Sequence, residues 1–233
     1  MVCDGAAASV AVSAAACSAP AVARVGAMTD AAAKITPPRG DAQAFMDKQF
    51  ITEEDLMLDG FRLGVKVFES GFRPTFIVGL WRGGAPVGIV VQECLQTLGV
   101  NTDHIAVRTS NKQGPDGKRV IRVHGTQYLL EKLNADDQLL IVDDACSTGR
   151  SVHAVIERLR LRTRRNMPRE VRIAVPWYRP APGPNPPPDF FLYQVEHELV
   201  FPYEVSDITD QEIAEHKPFL VPLLAETGPG TPR

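Results

Sequence analysis

Two adjacent carboxylates, Asp143 and Asp144, stand out in the segment LLIVDDACSTGRSV because small, hydroxylated and glycine residues follow them at once. Paired carboxylates suit the hydroxyl groups of a sugar or a hydrated Mg²⁺ ion. A turn that opens a helix presents backbone N–H groups without helical partners, and the helix dipole is positive there, so the STG turn suits a phosphate. Together these residues predict a ribose phosphate ligand.

The strand and helix around this segment must position the acids. Residues 139–142 are apolar at every position, which fits a strand buried on both faces of a parallel sheet. Asp143 and Asp144 would then lie at the carboxyl edge of that sheet. Apolar residues recur at helical spacing from Val152 onward, so the turn lies at a helix N-terminus. A simpler explanation, a solvated strand end and an N-cap, accounts for one hydroxyl but leaves the paired acids unexplained.

An apolar strand, two acids, a short spacer and Thr-Gly with a small hydroxyl residue resemble the PRPP-binding motif of type I phosphoribosyltransferases. The resemblance implies that Asp143 and Asp144 are catalytic, that they hold the ribose hydroxyls, and that they hold Mg²⁺ directly or through water. It places the 5′-phosphate of PRPP on the turn formed by Ser147, Thr148, Gly149, Arg150 and Ser151.

A second segment, GLWRGGAPVG at residues 79–88, has paired glycines that let the backbone approach a ligand, and an arginine beside them. Taken alone, it is equally well explained as a strand-to-helix turn with a surface arginine. Beside the first motif, it resembles the pyrophosphate loop of the same family. The resemblance implies a pyrophosphate site at Arg82, Gly83 and Gly84, a catalytic role for Arg82, and a cis Trp81–Arg82 peptide bond.

A third segment, residues 177–204, contains a proline-rich stretch that excludes helix and sheet and predicts an exposed connector. Its flanks resemble the base-recognition hood of hypoxanthine-type and xanthine-type purine phosphoribosyltransferases. The resemblance places Arg179 on the exocyclic oxygen of a 6-oxopurine and Val200 where backbone groups meet the base. A β-hairpin packed over a core explains the apolar residues of this segment equally well.

Two positions depart from the family pattern. Ser147 stands where hypoxanthine-guanine enzymes carry an Asp that acts as base toward the purine N7, and a serine cannot act as a base near neutral pH. Glu198 stands where related sequences have the aromatic residue that stacks on the base, and a carboxylate cannot make that contact. The sequence therefore fits the family's PRPP-binding motif better than its base-recognition motif, and the identity of the acceptor base stays open.

Composition limits the other classes of protein. A chain of 233 residues with 44% hydrophobic and 23% charged residues accommodates one α/β domain with appendages. The net charge of −3 gives no overall attraction for nucleic acid or an anionic membrane. The cysteines lack metal-ligand spacing, which indicates reduced thiols in a cytoplasmic protein. Cys146 is interpreted as an incidental small residue of the acid-rich segment, because no base partner is evident.

We expect a disordered, low-complexity extension at residues 1–41, a phosphoribosyltransferase-like domain at 42–225 with its hood at about 177–204, and a tail at 226–233. An upstream start ahead of Met28 or Met46 would explain the extension, and a transit peptide is the alternative. Helical and strand patterns alternate from Thr52 to Tyr178, which predicts an α/β fold. The resemblance implies a central parallel sheet flanked by helices, with a small C-terminal hood.

The expected function is transfer of the 5-phosphoribosyl group of PRPP to a nitrogenous base, with a 6-oxopurine favoured, Mg²⁺ as cofactor and release of pyrophosphate. The loop at 110–118 would be a lid over the site or an ordinary hairpin loop. Some family members bind PRPP without turnover and regulate nucleotide genes, and this is the alternative. The arginine-rich segment 157–169 would then touch nucleic acid, although a basic, solvated helix end explains it more simply. We otherwise expect no nucleic-acid or membrane partner, and a homodimer is compatible with these expectations.

Overall fold

The computed structural model describes residues 48–113 and 119–226. The predicted N-terminal extension, most of the predicted tail, and residues 114–118 of the predicted lid lie outside these ranges. In chain order the elements are β1 (Lys48–Phe50), α1 (Glu53–Glu69), β2 (Phe76–Trp81), α2 (Gly84–Thr97), β3 (Asp103–Gln113), β4 (Arg119–His124), α3 (Gln127–Lys132), β5 (Gln138–Val142), β6 (Ala145–Cys146), α4 (Arg150–Thr163), β7 (Glu170–Tyr178), β8 (Phe190–Gln194), β9 (Glu198–Val200), α5 (Asp210–His216) and α6 (Leu220–Glu226). No helix in the described ranges is long and apolar enough to span a bilayer.

The main sheet has the strand order β4-β3-β2-β5-β7-β6, with β8 also paired to β7. Every neighbouring pair is parallel except β3 and β4, which form an antiparallel hairpin. The predicted α/β fold with a central, mostly parallel sheet is therefore confirmed. β2 and β5 lie side by side near the centre, with Gly79 opposite Val142, so the loops that follow these two strands emerge at the same edge.

Helix α1 begins directly after Thr52, which is its N-cap residue. The Thr52 hydroxyl accepts a 3.1 Å hydrogen bond from the Asp55 backbone N–H, which satisfies one of the unpaired donors at the helix start. Glycines then allow close packing on α2, because a Cβ added to Gly64 would lie only 2.7 Å from the Cβ of Cys94. The helix is thus fixed against α2 on one face of the sheet.

Two hydrophobic cores lie on the two faces of the main sheet. Leu140 and Val142 of β5 pack into the core that includes α1 and α2, while Leu139 and Ile141 pack into the core that includes α3 and α4. All four side chains are fully buried. This two-sided burial is what the continuous apolar run of β5 predicts, and it places the two acids that follow β5 at the edge of a rigid strand.

A smaller unit stands beside the main sheet. β1 and β9 form a separate parallel pair with Phe50 opposite Val200, and α5 and α6 follow β9 in the chain. Val200, Ile208 and Ile213 are the buried residues of a third core, against which Phe50 and Leu220 pack. We call β1 together with residues 198–226 the two-strand unit.

The hairpin interpretation of the apolar residues after the prolines is wrong. β8 pairs in parallel with β7, with Ala174 opposite Phe190, whereas β9 pairs with β1. Parallel pairing requires a crossover, and the proline-rich connector supplies it by returning the chain to the start of β7. The segment predicted as the hood, 177–204, is consequently shared between the main sheet and the two-strand unit.

Candidate functional site

Two loops meet at the carboxyl edge of the central strands. The acid loop, residues 143–151, follows β5, and the glycine loop, residues 81–84, follows β2. A Cβ added to Gly84 would lie 2.3 Å from the Val142 carbonyl oxygen and 2.7 Å from the Cα of Asp143. Only a glycine lets the two backbones come this close, so the paired glycines serve the contact between the loops.

The acid loop forms a cavity at the N-terminus of α4. Gly149 adopts a left-handed conformation, with φ of +65°, immediately before the helix. The cavity has a volume of about 200 Å³ and is also lined by Asn111 and Ile121 of the β3–β4 hairpin. It brings together all the residues assigned to the 5′-phosphate: Ser147, Thr148, Gly149, Arg150 and Ser151. A helix start presents backbone N–H groups and the positive end of the helix dipole, which makes this position suitable for an anion.

The glycine loop has the backbone geometry implied by the family resemblance. The Trp81–Arg82 peptide bond is cis. Trp81 and Arg82 are exposed, while Gly83 and Gly84 are buried. The loop therefore presents its cation to solvent at the sheet edge and places its backbone against the acids.

The two acids face different neighbours. Asp143 lines the cavity of the acid loop, whose lining residues do not include Asp144. Asp144 instead lies between Gly83 and Tyr203, and the Tyr203 hydroxyl donates a 2.5 Å hydrogen bond to its Oδ2 atom. The other oxygen, Oδ1, accepts a 2.7 Å hydrogen bond from the backbone N–H of Ala145.

Burial and mutual repulsion govern the charge of this pair. Burial raises the pKa of the Asp143 carboxyl well above its usual range, and the negative charge of Asp144 raises it further. Burial also raises the pKa of the Tyr203 phenol, with the charge of Asp144 as the next cause, so the phenol stays protonated and acts as a donor. A cation beside the two carboxylates would relieve their repulsion.

The described residues contain no group of three or more His, Cys, Asp or Glu side chains that could hold a metal ion. A cation at this edge would therefore take one or two carboxylates from the protein and its remaining ligands from substrate and water. Mg²⁺ is commonly bound in this way, with phosphate oxygens of the substrate among its ligands. Asp143 and Asp144 have the oxygen donors that such an ion prefers.

Cys146 lines the cavity but lacks the surroundings of a nucleophile. Burial raises the pKa of its thiol to about 11, and the charge of Asp143 contributes to the increase. A thiol with this pKa is protonated near neutral pH, which supports its interpretation as a small packing residue.

The residues predicted to contact a base lie in different parts of the fold. The Arg179 backbone N–H donates a 2.8 Å hydrogen bond to the Cys146 carbonyl, so this half-buried arginine starts beside the acid loop. Val200 packs its side chain into the core of the two-strand unit, and its carbonyl accepts a 2.9 Å hydrogen bond from Ile51. Glu198 is exposed. A base contact at Val200 stays a prediction.

A family model described as the phosphoribosyl transferase domain matches residues 56–205 of the chain. The chain belongs to the phosphoribosyltransferase family. The match includes both loops of the site and the strands that carry them, so the family resemblance seen in the sequence is confirmed.

Solved structures share the phosphoribosyltransferase fold at low sequence identity. A purine phosphoribosyltransferase from Pyrococcus horikoshii is 24% identical with a TM-score of 0.54, covering 71% of this chain and 99% of its own. A hypothetical protein from Neisseria gonorrhoeae with bound ppGpp is 17% identical with a TM-score of 0.59, covering 80% and 100%. A xanthine-guanine-hypoxanthine phosphoribosyltransferase from Helicobacter pylori is 15% identical with a TM-score of 0.55, covering 73% and 100%. A comparison with curated protein sequences found no match.

Two residues that contact these loops were missed by sequence reasoning. Tyr203 bonds Asp144, and the Asn185 side-chain amide donates a 2.8 Å hydrogen bond to the carbonyl of Thr148. Asn185 is half-buried within a connector whose neighbouring prolines 184 and 186 are exposed. An isolated amide residue in a proline run was the one available signal, because it is the only side chain there that can donate a hydrogen bond.

Two further predictions concern the surroundings of the site. The β3–β4 hairpin remains paired as far as Gln113 opposite Arg119, and the tip of the predicted lid lies outside the described residues. At the other end of α4 the arginines are exposed, and two of them form ion pairs, Arg160 with Glu157 and Arg169 with Asp136. This is the arrangement of a basic, solvated helix end.

Proposed function

We propose that the protein transfers the 5-phosphoribosyl group of PRPP to a nitrogenous base and releases pyrophosphate. The observation that carries this proposal is the contact between the two loops, where Gly83 and Gly84 lie directly against Asp144 and Asp143. A sugar bearing a phosphate at one end and a pyrophosphate at the other needs three adjoining sites. The cavity at α4, the paired acids and the glycine loop provide them in that order.

The acid loop would hold the 5′-phosphate. Its residues from Ser147 to Ser151 line the cavity, and the start of α4 offers backbone N–H groups and the positive end of the helix dipole. Fixing the phosphate here, with the ribose hydroxyls on Asp143 and Asp144, orients the ribose C1 atom toward the glycine loop.

The reaction would break the bond between ribose C1 and the pyrophosphate oxygen, and a base nitrogen would form the new bond to C1. Such transfers develop positive charge on the sugar and negative charge on the leaving group. Arg82 and the backbone N–H groups of Gly83 and Gly84 would stabilise the departing pyrophosphate. The proton on the attacking nitrogen must leave as the new bond forms.

Mg²⁺ suits the paired acids, because Asp143 and Asp144 follow β5 one after the other at the sheet edge and carboxylate oxygens are the donors this ion prefers. Asp143 and Asp144 would hold it, directly or through water. When bound, Mg²⁺ supplies charge neutralisation for the leaving pyrophosphate.

The favoured acceptor is a 6-oxopurine. Arg179 emerges beside the acid loop, where its guanidinium can donate to an exocyclic oxygen. The structural neighbours from P. horikoshii and H. pylori are named as purine phosphoribosyltransferases, in agreement with this choice. Ser147 gives no general base for the acceptor, so a purine proton would pass to water or to another group.

A PRPP-binding regulator without efficient turnover is the second candidate. Ser147 favours it, since a hydroxyl stands in the acid loop where related enzymes have the general base that deprotonates the acceptor. The test is single-turnover transfer at saturating PRPP and Mg²⁺ with hypoxanthine, guanine, xanthine or orotate, with pyrophosphate release as the readout. Transfer confined to the 6-oxopurines supports the enzyme. Binding of PRPP with no pyrophosphate release in the presence of any of the four bases supports the regulator.

A further inference from the structure

Tyr203 lies at the end of the predicted hood segment and has no assigned role in the proposed active site, yet its hydroxyl bonds Asp144 Oδ2. Asp144 Oδ1 is bonded to the backbone N–H of Ala145. Because both oxygens have a donor, the plane of this carboxylate is fixed from two sides. A carboxylate oxygen has more than one lone pair, so each oxygen can still accept from a ligand.

The glycine loop closes the same junction. A Cβ added to Gly83 would lie 1.7 Å from Asp144 Oδ2 and 2.3 Å from the Tyr203 hydroxyl oxygen. Tyr203, Asp144 and the Gly83 backbone are therefore in mutual contact. A shift of the tyrosine would change the space available to the carboxylate and to the glycine loop together.

The turn that carries Tyr203 is itself held rigidly. Its ring stacks on Phe201, with centroids 5.6 Å apart and planes 6° from parallel, and Phe201 meets Trp177 edge-on at 5.5 Å. Lys217 is buried, and its Nζ atom donates 2.7 Å hydrogen bonds to the carbonyls of Phe201 and Pro202. A buried ammonium is tolerated only where such acceptors satisfy it, so Lys217 ties the end of α5 to this turn.

We propose that Tyr203 is a positioning residue, through which the two-strand unit orients Asp144 toward the ribose of PRPP. The inference rests on the proposed function and deepens it, since Tyr203 acts through Asp144. The acid-loop cavity is lined by Asp143 and not by Asp144, so phosphate binding there does not depend on Tyr203. Binding of PRPP and binding of inorganic phosphate should consequently respond differently to the loss of the hydroxyl.

The test is Tyr203→Phe, which removes the hydroxyl and keeps the stacked ring. The affinity for Mg-PRPP, measured by isothermal titration, is expected to fall about tenfold through loss of one charge-assisted hydrogen bond. The affinity for inorganic phosphate, measured by phosphorus NMR titration, is expected to stay unchanged. Tyr193→Phe is the matched control, because the Tyr193 hydroxyl bonds another buried acid, Asp59, at 3.0 Å. It should change neither affinity.

An unchanged Mg-PRPP affinity in Tyr203→Phe would overturn the inference, and so would equal losses for Mg-PRPP and inorganic phosphate. Thermal unfolding shows whether the variant folds. If it does not, Lys217→Met provides the test, because it releases the turn while keeping an apolar stem. It should lower the affinity for Mg-PRPP by a smaller factor and leave the affinity for inorganic phosphate unchanged. A wild-type protein that binds inorganic phosphate but not Mg-PRPP would overturn the proposed function itself.

Discussion

The acid loop and the two-strand unit meet at Asp144. The residues of the acid loop are neighbours in the sequence, whereas the two strands of the two-strand unit are far apart in it. The acid loop is one continuous run between β5 and α4, fixed by a buried strand on one side and a helix on the other. The two-strand unit joins Phe50 to Val200 and adds the helices that follow. One region is determined locally, whereas the other depends on contacts between distant segments. Changes in the acid loop should therefore remove contacts with the ligand, whereas changes in the two-strand unit should disturb the alignment of Asp144.

The sharpest way to break this comparison is Asp144→Asn, because Asp144 belongs to the acid loop and also bonds the two-strand unit. The amide has no negative charge for a ribose hydroxyl or Mg²⁺, so Mg-PRPP affinity and turnover are expected to fall about a hundredfold or more. Isothermal titration with Mg-PRPP measures the binding loss.

Asp59→Asn is the control for that experiment. Asp59 is a buried acid of α1 that accepts from Tyr193 and Arg62 and belongs to neither loop. It should lower the thermal midpoint without changing Mg-PRPP affinity. Equal affinities in wild type and Asp144→Asn would remove Asp144 from the site.

Ser147→Asp tests whether the acid loop alone limits the acceptor chemistry. A carboxylate at this position supplies the general base that the serine cannot, and such a base contributes about a hundredfold when its geometry is right. Single-turnover transfer to hypoxanthine or guanine should therefore rise by up to that factor. PRPP affinity should fall, because a third carboxylate beside Asp143 and Asp144 repels phosphate. Ser151→Asp, in the same cavity, is the control and should bring only the second change.

Gly83→Ala probes the junction itself. A methyl group at this position would overlap Asp144 and Tyr203, so the glycine loop must shift away from both. We expect turnover to fall by about 10- to 100-fold, as for other small displacements of reacting groups. Gly99→Ala is a suitable control, because Gly99 has a φ of +84° and nothing within 4 Å of an added Cβ. It should cost stability through backbone strain and leave steady-state turnover unchanged.

Asn185→Ala sharpens the comparison at the smallest scale, since it removes a connector contact from the acid loop. The carbonyl of Thr148 loses one neutral hydrogen bond, which stabilises by about 1 kcal/mol, so phosphate binding should weaken about 3- to 10-fold. Phosphorus NMR titration with inorganic phosphate measures the change. Pro184→Ala, one residue away and exposed, should have no such effect.

Much of the acid loop was predictable because its signals are local. The apolar run of β5, the small residues after it and the start of α4 fix the placement of Asp143, Asp144 and Gly149 without reference to distant segments. The cis peptide bond and the pyrophosphate role of the glycine loop came only from the family resemblance, whereas its position between a strand and a helix followed from local signals. These are the parts of the site where residue type and chain direction are enough to define geometry.

The parts that sequence reasoning missed are long-range contacts. The parallel pairing of β8 with β7 and of β1 with β9 depends on which strand edges remain free once the main sheet has formed. The bond from Tyr203 to Asp144 joins residues 59 apart in the chain. A tyrosine after a short strand gives no sign of its partner, since many carboxylates could accept its hydroxyl. Only the assembled fold selects Asp144.

The small core of the two-strand unit has a consequence for the dynamics of the site. The unit's own core has three buried residues, fewer than either core of the main sheet, so this part of the unit is expected to open by local unfolding at a lower free energy than β5. The Ile213 amide, bonded to the Thr209 carbonyl within this small core, should then exchange its hydrogen with solvent faster than the amides of β5. An opening that also releases the turn of Phe201 and Tyr203 frees Asp144, so the closed fraction sets how often the carboxylate is aligned. A ligand that requires this alignment favours the closed state. Mg-PRPP should therefore slow hydrogen exchange in the two-strand unit, which does not line the acid-loop cavity.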